Sequence, residues 1–182
     1  MSTYDATGSG SNSIWTIGHS NLSIARFIEL LRANEIETVV DVRSKPYSRY
    51  CPHFRKTNLQ AALREHGIEY IFMGKNLGGR PDDPALAGLE QIERWERISK
   101  LPGFAAAIDV LVAVAKSRRT VIMCAEEDPN DCHRRHLVVR ALDGRGVEVR
   151  HIRKDGAVDD EARICDSEAA FFRRLRSNFT EG

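Results

Sequence analysis

The spacing of apolar residues between positions 13 and 44 constrains this chain more than any other feature. SIWTIGHS (13–20) is a short apolar run that stops at Gly-His-Ser, as a buried strand does at a turn. Ile24, Phe27, Ile28 and Leu31 then recur at i, i+3, i+4 and i+7, one face of a helix. Ser20, Asn21 or Ser23 can cap it. ETVVDVRS (37–44) is a second β-branched run, broken by Pro46. Strand, helix and strand within about 30 residues form a βαβ unit, whose strands pair in parallel.

The alternation continues. A short helix is expected around Leu59 to His66, then a strand, IEYIFMG (68–74), and a long turn-rich loop, GKNLGGRPDDP (74–84). Two helices follow, at about 85–99 and 104–116, split by Pro102-Gly103. In the second, Phe104, Ile108, Leu111, Val112 and Ala115 share a face. TVIMCA (120–125) reads as a strand, 132–142 as a helix stopped by Gly144 and Gly146, and VEVRHI (147–152) as a further strand. A last helix is expected around Ser167 to Arg176. The expected fold is a single three-layer α/β domain over residues 14–182, with a largely parallel, Rossmann-like sheet. Residues 1–13 form a flexible polar leader, and the charged tail after about 155 is peripheral.

Composition narrows the function classes. The chain has 182 residues, 27 Lys and Arg against 26 Asp and Glu, so no global field demands nucleic acid or an anionic membrane. MSTYDATGSGSNS lacks the basic and apolar regions of a signal peptide, and no apolar run approaches the roughly 20 residues that span a bilayer. A cytoplasmic protein without a membrane partner is expected. There Cys51, Cys124, Cys132 and Cys165 stay mostly reduced, which favours reactive, metal-binding or inert thiols over disulfides.

Ligands of open α/β sheets bind beyond the carboxyl ends of the strands. On that edge the strand assignments gather Gly18, His19 and Ser20; Asp41 and Arg43; Lys75 to Gly79; and Cys124 to Arg134. Cys124 ends its strand just before a helix whose N-terminal N–H groups, with His133 and Arg134, favour a thiolate nucleophile. Glu126, Glu127, Asp128 and Asp131 oppose this if they point inward, and a buried strand-end cysteine can equally be an inert small hydrophobe. Cys132 is placed to resolve a sulfenate or persulfide, and His19 or His133 to move protons. Arg43 and Arg134 can grip an anionic group, with Asp41, Ser20, Glu126, Gly78 and Gly79 completing the substrate site. Asp41 can instead hold Arg43, and Arg134 can pair with the acidic loop. The Cys-x7-Cys-His group of Cys124, Cys132 and His133 could bind zinc with His19, but no CxxC pair accompanies it, so no metal ligand is assigned and zinc is the weaker reading.

VRSKPYSRYCPHFRKTNLQAALR (42–64) holds six cations, three aromatics and no acid. Lys45, Arg49, Arg55 and Lys56 with Tyr47 and Tyr50 suit phosphate contacts and base stacking, so a nucleotide or nucleic acid is the alternative partner. A solvated loop with tyrosines packed on the sheet serves equally well.

Together TIGHS, VVDVRSKPYS followed by Phe, GIEYIFMGKNLGGRP and MCAEEDPNDCHRRHL resemble a bacterial family known as domain-of-unknown-function 488, from about Trp15 to Ile152. The resemblance implies that these motifs share one site, without implying a reaction. VVDVRS and VIMCAEED are also similar, more loosely, to rhodanese-type sulfurtransferases, which end one strand in Asp-x-Arg and a later one in Cys. By that likeness Cys124 would carry a persulfide. The likeness is broken by the acidic loop with Pro129, and by the lack of a Gly-His-Ile turn after Arg43.

The functional expectation is a small cytoplasmic enzyme with a strand-end pocket. It would be a cysteine-dependent transferase or hydrolase-like protein (sulfur or acyl transfer, or thiol redox), acting on a small anionic substrate with no assigned cofactor.

Overall fold

The computed structural model describes residues 13–165. Ser13, placed in the leader by the sequence, already belongs to the first strand; the rest of the leader and the expected helix at 167–176 lie outside the described residues.

Five strands pair in parallel: β1 (Ser13–Gly18), β2 (Thr38–Asp41), β3 (Glu69–Phe72), β4 (Thr120–Cys124) and β5 (Glu148–Ile152). A sixth, β6 (Val158–Asp160), runs antiparallel to β5, and the order is β3-β2-β4-β1-β5-β6. Every residue of β1, β2 and β4 is buried. That is why these strands read as continuous apolar runs: helices cover both faces of a parallel sheet.

On one face lie α1 (Ile24–Ala33) and α2 (Lys56–Glu65). Phe27, Leu31, Leu59 and Leu63 pack there on Trp15, Ile17, Val39, Val121 and Met123. Ser23 caps α1 by accepting from the Arg26 N–H. The other face carries α3 (Gly74–Leu77), α4 (Gln91–Ser99) and α5 (Pro102–Ser117). There Phe104, Ile108 and Leu111 pack on Ile14, Val40 and Ile122. The layers alternate because leftward and rightward crossovers of one handedness emerge on opposite faces.

Several expectations are corrected. The 74–84 segment is not wholly loop, since its first residues form α3. The expected helix 132–142 is a 3-10 turn (Pro129–Asp131), an extended Cys132, a π-helical stretch (Arg134–Val139) and a second 3-10 turn (Arg140–Leu142). The tail beyond 155 is not peripheral at its start. It adds β6, and Glu161 receives hydrogen bonds from Arg135 and His151. That strand was illegible because Val158-Asp159-Asp160 has no apolar alternation; pairing with β5 alone makes it a strand.

Past the strand ends the ladder extends into loops: the His19 N–H donates to the Cys124 carbonyl and the Ser20 N–H to that of Ala125. The 125–127 backbone folds across Gly18 so closely that a Cβ there would lie 1.7 Å from the Glu126 carbonyl oxygen. Gly18→Ala should therefore destabilise the protein by about 3 kcal/mol or more, because the obstacle is backbone and cannot rotate away. Urea denaturation monitored by circular dichroism measures the loss.

Candidate functional site

β4 lies between β1 and β2. The chain leaves β1 and β2 toward the α1/α2 layer and leaves β4 toward the other, so the strand ends part around Cys124 and open a crevice. The crevice is a cleft of about 1030 Å³, lined among others by His19, Arg43, Lys45, Gly79, Cys124 and Glu126. Residues 80–87 and Trp95 complete its wall.

At and just beneath its floor four side chains meet. The Cys124 and Cys132 thiols donate to Oε2 of Glu126 at 3.0 and 3.1 Å. His133 Nδ1 lies 3.5 Å from the Cys124 sulfur and 3.9 Å from that of Cys132. The other ring nitrogen, Nε2, is 3.1 Å from the Val42 carbonyl oxygen. A carbonyl only accepts, so Nε2 carries a proton and Nδ1 is the nitrogen turned toward the sulfurs. Arg134, 0% exposed, shapes this floor. It donates to the carbonyls of Glu126 and Glu127 and, at 3.2 Å, to the Thr16 hydroxyl.

The two thiols differ, and not as the sequence suggested. The hydrogen bond with Cys132, then burial and Glu126, push the Cys124 thiol well above its ordinary value. Burial also raises Cys132, but its hydrogen bonds with Cys124 and His133 and the Arg134 charge outweigh this and bring it below the usual thiol range. The Arg134 N–H, the first of the π-helical stretch, points at the Cys132 sulfur (3.4 Å), so the helix start that was expected to activate Cys124 serves its neighbour. Burial raises Glu126, but the two thiol hydrogen bonds reverse this and keep it ionised to lower pH.

The remaining site residues have other partners. Asp41 accepts from Arg43 at 2.9 and 2.7 Å and from the Tyr70 hydroxyl at 2.8 Å. Burial, then Asp41, raises the Tyr70 phenol. Arg43 also donates to the Phe54 carbonyl and lies 3.1 Å from His19 Nε2. Arg43 and Arg134, expected to grip a substrate anion, have their donors on protein acceptors here, and of the two Arg43 lines the cleft. His19 receives Arg43 on Nε2, donates through Nδ1 to the Ser20 carbonyl at 2.9 Å and stacks on Phe54. It is wedged between the strand ends, on the cleft lining. Ser20, at φ 44°, shapes the turn after β1 and is not among the cleft-lining residues. Gly78 packs on Ser44, where a Cβ would meet the hydroxyl oxygen at 2.3 Å; at Gly79 it would lie 2.7 Å from the His133 side chain. These glycines permit close packing, and Gly79 lines the cleft. Cys51 bonds to the Ser20 carbonyl, away from the cleft lining.

In the basic loop Arg55 donates to the Ser48 carbonyl and lies over the Tyr47 ring at 4.6 Å, while Lys56 lies over Phe72. Lys45 pairs with Asp82. Tyr47 and Tyr50 do not pack on the sheet; they are 62% and 95% exposed. Sequence reading missed Trp95 and the 80–87 wall, because a helical tryptophan and a turn-rich loop carry no signal of which strand end they will face.

The chain is thus an α/β-domain protein with a thiol-carboxylate-imidazole cluster at its sheet crevice. The family profile described as Domain of unknown function DUF488 matches residues 23–141, and the chain belongs to that family. No curated protein and no solved structure matches it, so the sulfurtransferase likeness gains no support. Among the described residues no single helix is long and apolar enough to cross a membrane.

Two outcomes are expected. Asp41→Asn leaves the Arg43 charge buried without its counter-ion and should cost about 3–5 kcal/mol in denaturant unfolding. Burial and then Arg43 lower His19 from 6.5 to about 4. Because the unfolded chain takes up that proton first, His19's contribution is complete above about pH 6.5 and is lost as pH falls toward 4. The stability difference between wild type and His19→Gln should shrink by about 3 kcal/mol over that window, measured by urea denaturation at each pH.

Proposed function

We propose that this chain is an enzyme that binds an organic anion in the strand-end cleft and acts on it with the cluster on the cleft floor. The observation that carries the reading is that Cys124, Glu126 and His133 line a cleft of about 1030 Å³, with Lys45 and Arg80 in the same wall. That volume suits a small organic ligand. Arg43 and Arg134 being engaged, the anion falls to Arg80, whose side chain is exposed, and to Lys45. The Lys45–Asp82 pair is itself exposed and opens at little cost. Trp95, Tyr47 and Leu86 supply flat apolar walls for the rest of the substrate. The chemistry is that of the floor group, which combines sulfur donors, a carboxylate and an oriented imidazole.

A screen of phosphorylated and carboxylated metabolite-sized compounds by thermal unfolding tests this, since a ligand bound only by the folded state raises its stability. Compounds that stabilise the wild type should bind about tenfold or more weakly to Arg80→Ala, the loss of one charge-assisted contact. If no anion binds, or if Arg80→Ala and Lys45→Ala bind as the wild type does, the reading falls.

The exposure of Tyr47 and Tyr50 beside Arg49 favours a second reading, in which the 43–56 loop stacks bases and contacts phosphates of a nucleotide or nucleic acid. Arg49→Ala with Tyr50→Ala should then lower single-strand oligonucleotide affinity about tenfold and flatten its salt dependence. Unchanged affinity would remove it.

A further inference from the structure

We propose that Cys124, Cys132, His133 and Glu126 form a zinc-binding site in the floor of the cleft. The site goes beyond the anion reading, which supplies only its purpose. One donor atom from each side chain lies within 4.8 Å of all the others. Two sulfurs and an imidazole select a borderline-soft cation over magnesium or calcium, and a compact four-donor set of this kind is tetrahedral zinc chemistry.

The sulfur–nitrogen distances agree. Zinc bonds of about 2.3 Å to sulfur and about 2.05 Å to nitrogen, at tetrahedral angles, set sulfur and nitrogen about 3.6 Å apart. The two such separations here are 3.5 and 3.9 Å. Glu126 Oε2 stands 3.0 and 3.1 Å from the sulfurs, thiol hydrogen-bond distances that would lengthen by about 0.5 Å around a bound ion.

Groups behind the four donors hold them in place, as metal ligands require. The Val42 carbonyl accepts a hydrogen bond from His133 Nε2, which leaves Nδ1 as the nitrogen that can coordinate. Gly79 packs against the His133 ring, where any side chain would collide with it. The Arg134 N–H is directed at the Cys132 sulfur, and the Arg134 guanidinium holds the carbonyls of Glu126 and Glu127 and so orients that carboxylate. Cys132 is 1% exposed, whereas Glu126 faces the cleft. The two sulfurs and the imidazole are thus the deep ligands, and the carboxylate is the one on the substrate side. Zinc there would bind its ligand thiols as thiolates, so the cluster would work through a held cation and not through a free nucleophilic sulfur.

The test uses the full wild-type chain, stripped with chelator under reductant and titrated with cobalt(II) and then zinc(II). One ion per chain is expected, with a sulfur-to-cobalt charge-transfer absorption and tetrahedral ligand-field bands that zinc abolishes. Zinc should survive dialysis at one ion per chain. Cys132→Ser should lose much of the charge-transfer intensity, and solvent-side Glu126→Gln should keep it while binding zinc about tenfold more weakly. A cobalt spectrum without sulfur charge transfer, or zinc that dialyses away from the wild type, would overturn the site. Because the wild-type titration needs no variant, a misfolded mutant cannot obscure the result. No anion enters these measurements, so the Arg80→Ala comparison stands or falls separately.

Discussion

The buried guanidinium of Arg134 is the interaction on which the site depends. Removing a charge from water is costly unless its donors find acceptors. Here they reach the Thr16 hydroxyl in β1 and two carbonyls of the loop after β4. One side chain thus ties a strand, a loop and the helix that carries it into a single unit. Glu126 is aimed at the two sulfurs because its own carbonyl is held from behind. Gly18 allows the arrangement, since only a residue without a Cβ lets the loop backbone cross β1 so closely.

A second buried charge, Arg43, plays the corresponding part at the end of β2. Its pairing with Asp41 and its contact with His19 join β1 to β2 across β4. Both arginines lie beside the cleft, and both are satisfied by the protein itself. Their contribution is rigidity: they hold the strand ends apart at the point where the crossovers diverge. Under the proposed anion-binding function, recognition belongs to the more exposed Lys45 and Arg80 and to the aromatic wall.

The central strands and the amphipathic helices were legible because burial leaves a periodic trace. β1, β2 and β4 are apolar runs, and the α1 stripe of Phe27, Ile28 and Leu31 is buried as its spacing implied. The same reading placed Cys124, Glu126, His133 and Cys132 near one strand end, and they do meet. It joined His19 to the cysteines and His133 where the fold brings Glu126 to them, and it favoured Cys124 as the ionised thiol where the fold favours Cys132. Both differences turn on direction: strand-end loops bring residues near, but a chain of acids in a loop says nothing about which carboxylate turns inward.

By itself, then, the sequence determined the layered α/β class, the crossover helices, and the sheet end at which the cysteines, His133 and Glu126 gather. These follow from hydrophobic period and from connection rules that act locally. Tertiary structure alone decided that Glu126 closes the thiol cluster, that Arg43 and Arg134 face inward, that Gly79 seats an imidazole ring and that β6 exists. Each of these depends on a partner distant in the chain, and local pattern carries no record of such a partner's position.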